Sequence, residues 1–140
     1  MSGWAGYALL SAVFAGATAV LAKAGVQGVP SNLATAVRTV VVLVFAWGIV
    51  LARGEAAALH GLTRQNWLFL ALSGVATGAS WLCYFRAIQL GPISRVAPID
   101  KLSFVIAVLL GLILFREKMT WQLGAGTALI AAGVLLTLKG

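Results

Sequence analysis

Long uncharged segments dominate the pattern of hydrophobic and polar positions along this chain. Residues 2–22, 65–85 and 119–138 contain no Asp, Glu, Lys or Arg, and shorter uncharged segments cover residues 39–52 and 102–115. A membrane-spanning helix needs about 20 mainly apolar residues. The two shorter segments reach this length only if charged residues near their starts belong to the helix. The pattern therefore predicts an all-α, polytopic membrane protein with some charges inside the membrane.

Turn and cap residues divide the chain into five transmembrane helices. Ser31-Asn32 suit an N-cap after Pro30, Gly91-Pro92 closes the third helix, and Thr120 caps the fifth. The longest connection, residues 53–65, has room for a short amphipathic turn. The predicted helices cover about residues 4–24, 31–52, 66–89, 95–115 and 120–138.

The composition places almost the whole chain in lipid. The 140 residues are 61% hydrophobic and 9% charged, whereas soluble domains carry about 25% charged residues. The net charge of +7 would favour nucleic acid as a partner of a soluble protein, but here the basic residues lie mostly at helix ends, where lipid head groups and topology account for them. We expect a single domain over residues 1–140 in a bacterial or archaeal cell membrane, with the bilayer and no nucleic acid as a partner.

Several charged residues fall inside the predicted helices. Arg38 lies roughly 10 Å along the axis of the second helix and shares a face with Thr35. Asp100 is the only acidic residue at membrane depth. Its structural interpretation is an ion pair with Arg38, Arg86 or Lys101, and its functional interpretation is a proton or substrate site. Charge inside a bilayer is costly and usually functional.

Polar residues on the third helix extend this basic region toward the middle of the membrane. Ser73, Thr77, Ser80 and Tyr84 share a face, with Trp81 beside them. Such residues often mediate packing when they occur singly. Together they indicate a vestibule that is basic at its mouth and lined by hydroxyl and aromatic groups further in. The candidate substrate-binding residues are Lys23, Thr35, Arg38, Ser73, Thr77, Ser80, Trp81, Tyr84, Arg86 and Lys101, with Asp100 for coupling or ion pairing.

The sequence contains no catalytic or cofactor-binding motif. It has no metal-ligand spacing, no phosphate-binding glycine loop and no Ser–His–Asp set, and the single histidine, His60, falls in a loop. The single cysteine, Cys83, lies in an apolar segment and excludes a disulfide within the chain. We therefore expect no enzyme activity, no cofactor and no metal.

Five short segments follow one another in an order and spacing that carry a family resemblance. They are residues 21–25 (LAKAG), 32–39 (NLATAVRT), 84–92 (YFRAIQLGP), 96–103 (VAPIDKLS) and 115–124 (FREKMTWQLG). The first two resemble the first helical hairpin of EamA-type domains in the drug/metabolite transporter superfamily. The next two resemble the third-to-fourth helix segment, and the last resembles the connection between the final two helices.

The resemblance implies a half-transporter. Most members of the superfamily carry ten helices as two five-helix repeats of opposite topology, whereas this chain has one repeat. It would act with a second, antiparallel copy and move a small molecule by alternating access. Four basic residues fall on one predicted side of the membrane and six on the other, a weak bias that agrees with insertion in both directions.

The substrate expected from the charges is an anionic or zwitterionic metabolite. The related small multidrug transporters use an acidic residue in the middle of their first helix, and this chain has none there. The alternative is a non-transporting accessory or assembly subunit of a membrane complex. The small-residue faces of the first and last helices suit that role equally well.

Overall fold

The computed structural model describes residues 3–139 and consists mainly of long helices. The helices are α1 (Gly3–Gly25), α2 (Ser31–Ala52), α3 (Arg64–Leu90), α4 (Ile93–Asp100), α5 (Leu102–Leu114) and α6 (Trp121–Lys139), with a 3-10 helix at Glu55–Gly61. Within the described residues, five spans are long and apolar enough to cross a membrane, and α4 and α5 together form the fourth. The predicted all-α membrane fold is confirmed, and the turn predicted in the longest connection is the 3-10 helix.

The fourth span is a broken helix. Pro98 lies inside α4, where its missing N–H and its ring weaken the helical ladder. Lys101 forms a turn between α4 and α5. Its N–H bonds to the carbonyl of Pro98 at 3.0 Å, and its carbonyl accepts the N–H of Phe104 at 3.0 Å. The sequence predicts one helix over about residues 95–115, and the structure divides that span at Lys101.

The ends of two helices confirm one predicted cap and correct another. Thr120 accepts the N–H of Leu123 through Oγ1 at 3.2 Å and caps α6 as predicted. The predicted Ser31-Asn32 cap of α2 is wrong, because Pro30 occupies the cap position and no side chain bonds to the first turn. Proline has no side-chain acceptor, so the first N–H groups of α2 have no side-chain partner.

The described chain divides into two compact units, each of which has its own packing. Residues 20–89 form one unit, and the first part of α1 belongs with α4, α5 and α6 in the other. The buried apolar side chains of the first unit are Val26, Phe85 and Ile88. Its core therefore lies where the α1–α2 connection meets the end of α3. In the second unit α6 packs against α4 and α5, and Val134 of α6 is buried.

Large apolar side chains face outward along the spans. Trp4, Trp67 and Trp121, in the first turns of α1, α3 and α6, are 74%, 53% and 83% exposed. An apolar surface of this extent is compatible with lipid chains as the surrounding solvent. Tryptophan rings near the start of a span suit the membrane–water interface, where the indole N–H can still reach a polar partner.

Candidate functional site

Arg38 of α2 extends across two aromatic residues of α3. Its guanidinium carbon lies 4.3 Å from the centroid of the Trp81 ring and 5.5 Å from that of the Phe85 ring. Both distances fall within the range of about 6 Å over which a cation is attracted to an aromatic face. The only acidic residue among residues 20–89 is Glu55, which pairs with Arg53 at 3.3 Å in the connection before α3. Within this unit, aromatic rings rather than a carboxylate hold the half-buried Arg38.

The helical repeat explains how α3 presents this aromatic pair. Trp81 and Phe85 are four residues apart, and side chains at that spacing share a face. Phe85 is 3% exposed, and Ile88 on the same face is fully buried. This face is therefore the packed face of α3. The sequence pattern indicates Trp81 but not Phe85, for which the spacing from Trp81 was the available signal.

The polar residues predicted on α3 border this packed face. Ser73, Thr77 and Ser80 are exposed. Tyr84 is half-buried and lies within electrostatic range of Arg38. Tyr84 is thus near enough to Arg38 to influence its charge, and the three smaller residues lie on the exposed surface of the helix.

Two threonines of the predicted site are bonded to their own helices. Thr35, which is buried, donates to the backbone carbonyl of Ser31 at 2.9 Å, and Thr77 donates to the carbonyl of Ser73 at 2.9 Å. These bonds use the hydroxyl hydrogen and leave oxygen lone pairs available. Thr77, which is exposed, can therefore accept a hydrogen bond from a ligand while keeping its helical bond, whereas Thr35 is buried.

Lys23 and Arg86, two further predicted residues, lie near the end of α3. Lys23 Nζ donates to the carbonyl of Ile88 at 2.5 Å and satisfies a carbonyl near the helix end. Arg86 Nη1 donates to Gln89 Oε1 at 2.9 Å. Gln89 Nε2 in turn donates to the carbonyl of Val29 at 2.8 Å. Gln89, which the sequence pattern does not indicate, therefore ties the α1–α2 connection to α3.

Asp100 and Lys101 lie at the break between α4 and α5. The Lys101 ammonium is 3.5 Å from the Asp100 carboxylate, and the two side chains are 58% and 38% exposed. Ser103 donates to the backbone carbonyl of Asp100 at 2.7 Å and holds the turn. Three ion-pair partners were predicted for Asp100. The pair with Lys101 is present in the unit that contains α4 and α5.

The chemistry offered around Arg38 is that of binding. A guanidinium fixed against an indole presents paired N–H donors that match the oxygens of a carboxylate or phosphate. Within residues 3–139, no group of three or more His, Cys, Asp or Glu side chains is placed to hold a metal ion. A fixed cation beside apolar rings suits an anionic group on a molecule that also has an apolar part.

Comparison with known proteins agrees with the membrane fold. The EamA-like transporter family matches residues 2–139. A Sinorhizobium protein described as an uncharacterized transporter in the cobO 3′ region is 51% identical over 133 residues, which are 95% of this chain and 94% of that protein.

Weaker similarity extends to proteins described as probable 4-amino-4-deoxy-L-arabinose-phosphoundecaprenol flippase subunit ArnE. The protein of Hamiltonella defensa is 29% identical over 77 residues, which are 55% of this chain and 69% of the relative. That of Pseudomonas fluorescens Pf0-1 is 36% identical over 73 residues, which are 52% and 62% of the two chains. No solved structure matches the chain. The chain therefore belongs to the EamA-like transporter family and is a membrane transporter protein, integral to the bacterial inner membrane.

Proposed function

We propose that this protein is one half of a secondary transporter that moves a small anionic or zwitterionic metabolite by alternating access. The Arg38 guanidinium, held over Trp81 and Phe85 within a membrane span, carries this proposal. A charged side chain at membrane depth is costly and marks a substrate or ion pathway. No acidic residue lies in the spans of residues 20–89. The negative group of the substrate supplies the missing counter-charge.

Each neighbour of Arg38 has a role in this proposal. Trp81 and Phe85 form an apolar wall that excludes water and strengthens the attraction between the guanidinium and an anion. Tyr84 and Thr77 supply hydroxyl oxygens along the path. Because the arginine is fixed before the substrate arrives, binding loses little side-chain freedom.

Asp100 is the proposed coupling residue. It lies at the break of the fourth span beside Lys101, and broken helices form the substrate and ion sites of many secondary transporters. An Asp100→Asn variant tests this role, with Ser103→Ala as a control that changes the same turn without removing charge. We expect transport by Asp100→Asn to lose its dependence on a proton gradient. Transport that keeps this dependence excludes Asp100 as the coupling residue.

A second copy in the opposite orientation is the proposed partner. A five-helix unit provides one half of the inverted-repeat plan, in which the substrate site lies between two related halves. The basic residues differ only slightly between the two predicted sides of the membrane, which favours insertion in both directions.

Reporters at the C-terminus test the antiparallel arrangement. Alkaline phosphatase is active only outside the inner membrane, and green fluorescent protein fluoresces only inside. We expect both fusions to be active, and we expect an Arg116→Ala/Lys118→Ala variant to shift their ratio because it removes positive charge from one side. A strictly one-sided C-terminus contradicts antiparallel pairing of identical copies.

A different partner chain is the second candidate. The ArnE relatives are described as subunits of a flippase. This description favours a heteromeric complex, in which the present chain either forms the transport path together with a second polypeptide or only assists transport by that polypeptide. Purification from the native membrane separates the two cases. A defined dimer of one chain supports the half-transporter, whereas a stoichiometric second polypeptide supports the subunit.

Thermal stability of the detergent-purified protein tests the substrate class. Anionic, zwitterionic and cationic metabolites are compared on wild type, Arg38→Ala and the control Arg64→Ala, which removes an exposed arginine at the start of α3. A ligand at about 100 times its Kd adds about 2.7 kcal/mol to the folded state. We expect anions or zwitterions to stabilise wild type and Arg64→Ala but not Arg38→Ala. Stabilisation by cations alone, or of all three proteins equally, contradicts the proposed site.

A further inference from the structure

We propose that the N-terminus of α2 and Arg86 form a binding site for a phosphate group, separate from the Arg38 site. A cavity of about 390 Å³ opens there and is lined by Pro30, Ser31, Asn32, Arg86 and Gln89. Its volume lies within the range of small-molecule sites, about 300–1,000 Å³. None of the five lining residues is acidic, so nothing in the lining opposes an anion.

The first turn of α2 supplies backbone donors to this cavity. The carbonyl of Pro30 accepts the N–H of Ala34 at 3.0 Å, which is the first bond of the helical ladder. The N–H groups of Ser31, Asn32 and Leu33 precede this bond. No side chain caps them. Uncapped N–H groups and the positive end of the helix dipole favour a phosphate at this position.

Ser31 gives a second and independent indication of a ligand. The residue is 8% exposed and lines the cavity, so its remaining accessible surface faces the cavity. Within residues 20–89 its hydroxyl makes no hydrogen bond, and only its backbone carbonyl is used, by Thr35 at 2.9 Å. A hydroxyl that faces a cavity can donate its hydrogen to a molecule bound there. An anion oxygen in the cavity would accept its hydrogen.

Gln89 holds Arg86 at the cavity before any ligand arrives. Its Nε2 donates to the carbonyls of Val29 at 2.8 Å and Val26 at 3.5 Å, and its Oε1 accepts from Arg86 Nη1 at 2.9 Å. Both ends of the amide are thus fixed, and the guanidinium is oriented by one of its five N–H donors. Within residues 20–89 the other donors of Arg86 make no bond. They are available to phosphate oxygens, which match the guanidinium geometry.

This site differs from the Arg38 site in depth. Ser31 and Arg38 lie about 10 Å apart along the axis of α2. The start of a span lies near the membrane surface, where phospholipid head groups and soluble phosphorylated metabolites both present a phosphate. The inference does not depend on transport, because binding at equilibrium tests it.

Two probes with the same head group separate these sources. Dihexanoyl phosphatidic acid and glycerol 3-phosphate are titrated, by calorimetry, into protein in a non-ionic detergent and a phosphate-free buffer. The proteins are wild type, Arg86→Gln, Ser31→Ala and Arg64→Gln. The last removes the same charge from the other end of α3 and serves as the matched control.

We expect wild type to bind at least one probe. Arg86→Gln should weaken binding at least about tenfold, as loss of a charge-assisted hydrogen bond does, and Ser31→Ala severalfold. Arg64→Gln should stay within about twofold of wild type. Similar affinity for both probes supports recognition of the phosphate alone, binding of the lipid alone supports a head-group site, and binding of glycerol 3-phosphate alone supports a metabolite site.

If Arg86→Gln folds, two results overturn the inference. One is that neither probe binds wild type. The other is that Arg86→Gln weakens binding no more than Arg64→Gln does, which indicates that Arg86 makes no specific contact with the phosphate. If Arg86→Gln does not yield folded protein, Ser31→Ala decides, because the loss of one hydroxyl leaves the packing of the first turn intact. Unchanged affinity of Ser31→Ala then overturns the site.

Discussion

The contact between Arg38 and the aromatic pair of α3 allows a graded prediction of stability. Replacing Trp81 by Leu removes the ring that lies 4.3 Å from the guanidinium. A cation–π contact contributes about 0.5–1 kcal/mol at an exposed position and about 2 kcal/mol where water is excluded. Since Arg38 is half-buried, we expect a coupling free energy of about 1–2 kcal/mol. The Phe85 ring lies further away, at 5.5 Å, and a benzene ring attracts a cation less strongly than an indole does. Its coupling to Arg38 should therefore be about half as large or less.

A double-mutant cycle measures this coupling. The free energies of unfolding of Arg38→Met, Trp81→Leu and the double variant are obtained from reversible titration of micelles with SDS, and the non-additive part is the coupling. A parallel cycle uses Phe85→Leu. Trp67 is the control, because it lies about 21 Å from Trp81 along α3 and should be additive with Arg38. A Trp81 coupling below about 0.3 kcal/mol, or a larger one for Phe85, refutes the idea that the indole holds the guanidinium.

Substitutions at three further positions test other parts of the structure by the same unfolding titration. Gln89→Met keeps the side-chain length but removes the bonds to Val29 and Arg86, so we expect a loss of about 2–3 kcal/mol; a loss below about 0.5 kcal/mol would show that these bonds do not tie the connection to α3. Gly28→Ala should lose about 1–2 kcal/mol because Gly28 has φ +70°, and equal stability would contradict that backbone. Thr120→Ala should lower the free energy of unfolding by about 1 kcal/mol because it removes the cap of α6, and Thr120→Ser should lower it much less because it keeps the hydroxyl. Equal losses would show that the hydroxyl cap is not the cause.

The membrane spans were predictable because a bilayer restricts the backbone. A segment in lipid must satisfy its own N–H and carbonyl groups, so a long apolar segment has to be helical. The second helix was predicted over residues 31–52 and is found at Ser31–Ala52. The division at Lys101 was not predicted, since Pro98 marks a weak point but packing decides whether a helix bends or ends there.

The residues around the site were predictable only where their polarity or charge differs from that of the neighbouring residues in the sequence. Arg38 could be identified because the length of its span forces a charge into the membrane. Phe85 was not identified, because an apolar residue in an apolar helix does not stand out and its four-residue spacing from Trp81 was the one available signal. Gln89 bonds to Val29 across 60 residues of sequence, a contact that depends on how the connection folds back.

The N-cap of α2 lies one residue earlier than predicted, and this changes the role of the Ser31 hydroxyl. As an N-cap, its hydroxyl would have bonded to the first turn of α2. The helix begins at Ser31 instead, and Pro30 takes the cap position. The hydroxyl and the first N–H groups therefore remain available at the cavity, and it is this shift that indicates a phosphate site.

Uptake into proteoliposomes tests most directly whether Arg38 binds the anionic group of a transported substrate. The substrate used is the metabolite that stabilises the wild type most strongly, and uptake is compared for wild type, Arg38→Ala, Arg38→Lys and Arg64→Ala. We predict that Arg38→Ala falls to the rate of protein-free liposomes and that Arg64→Ala keeps the wild-type rate. Arg38→Lys should be intermediate because it keeps the charge but loses the planar donors. Uptake by Arg38→Ala at the wild-type rate would contradict a substrate site at Arg38.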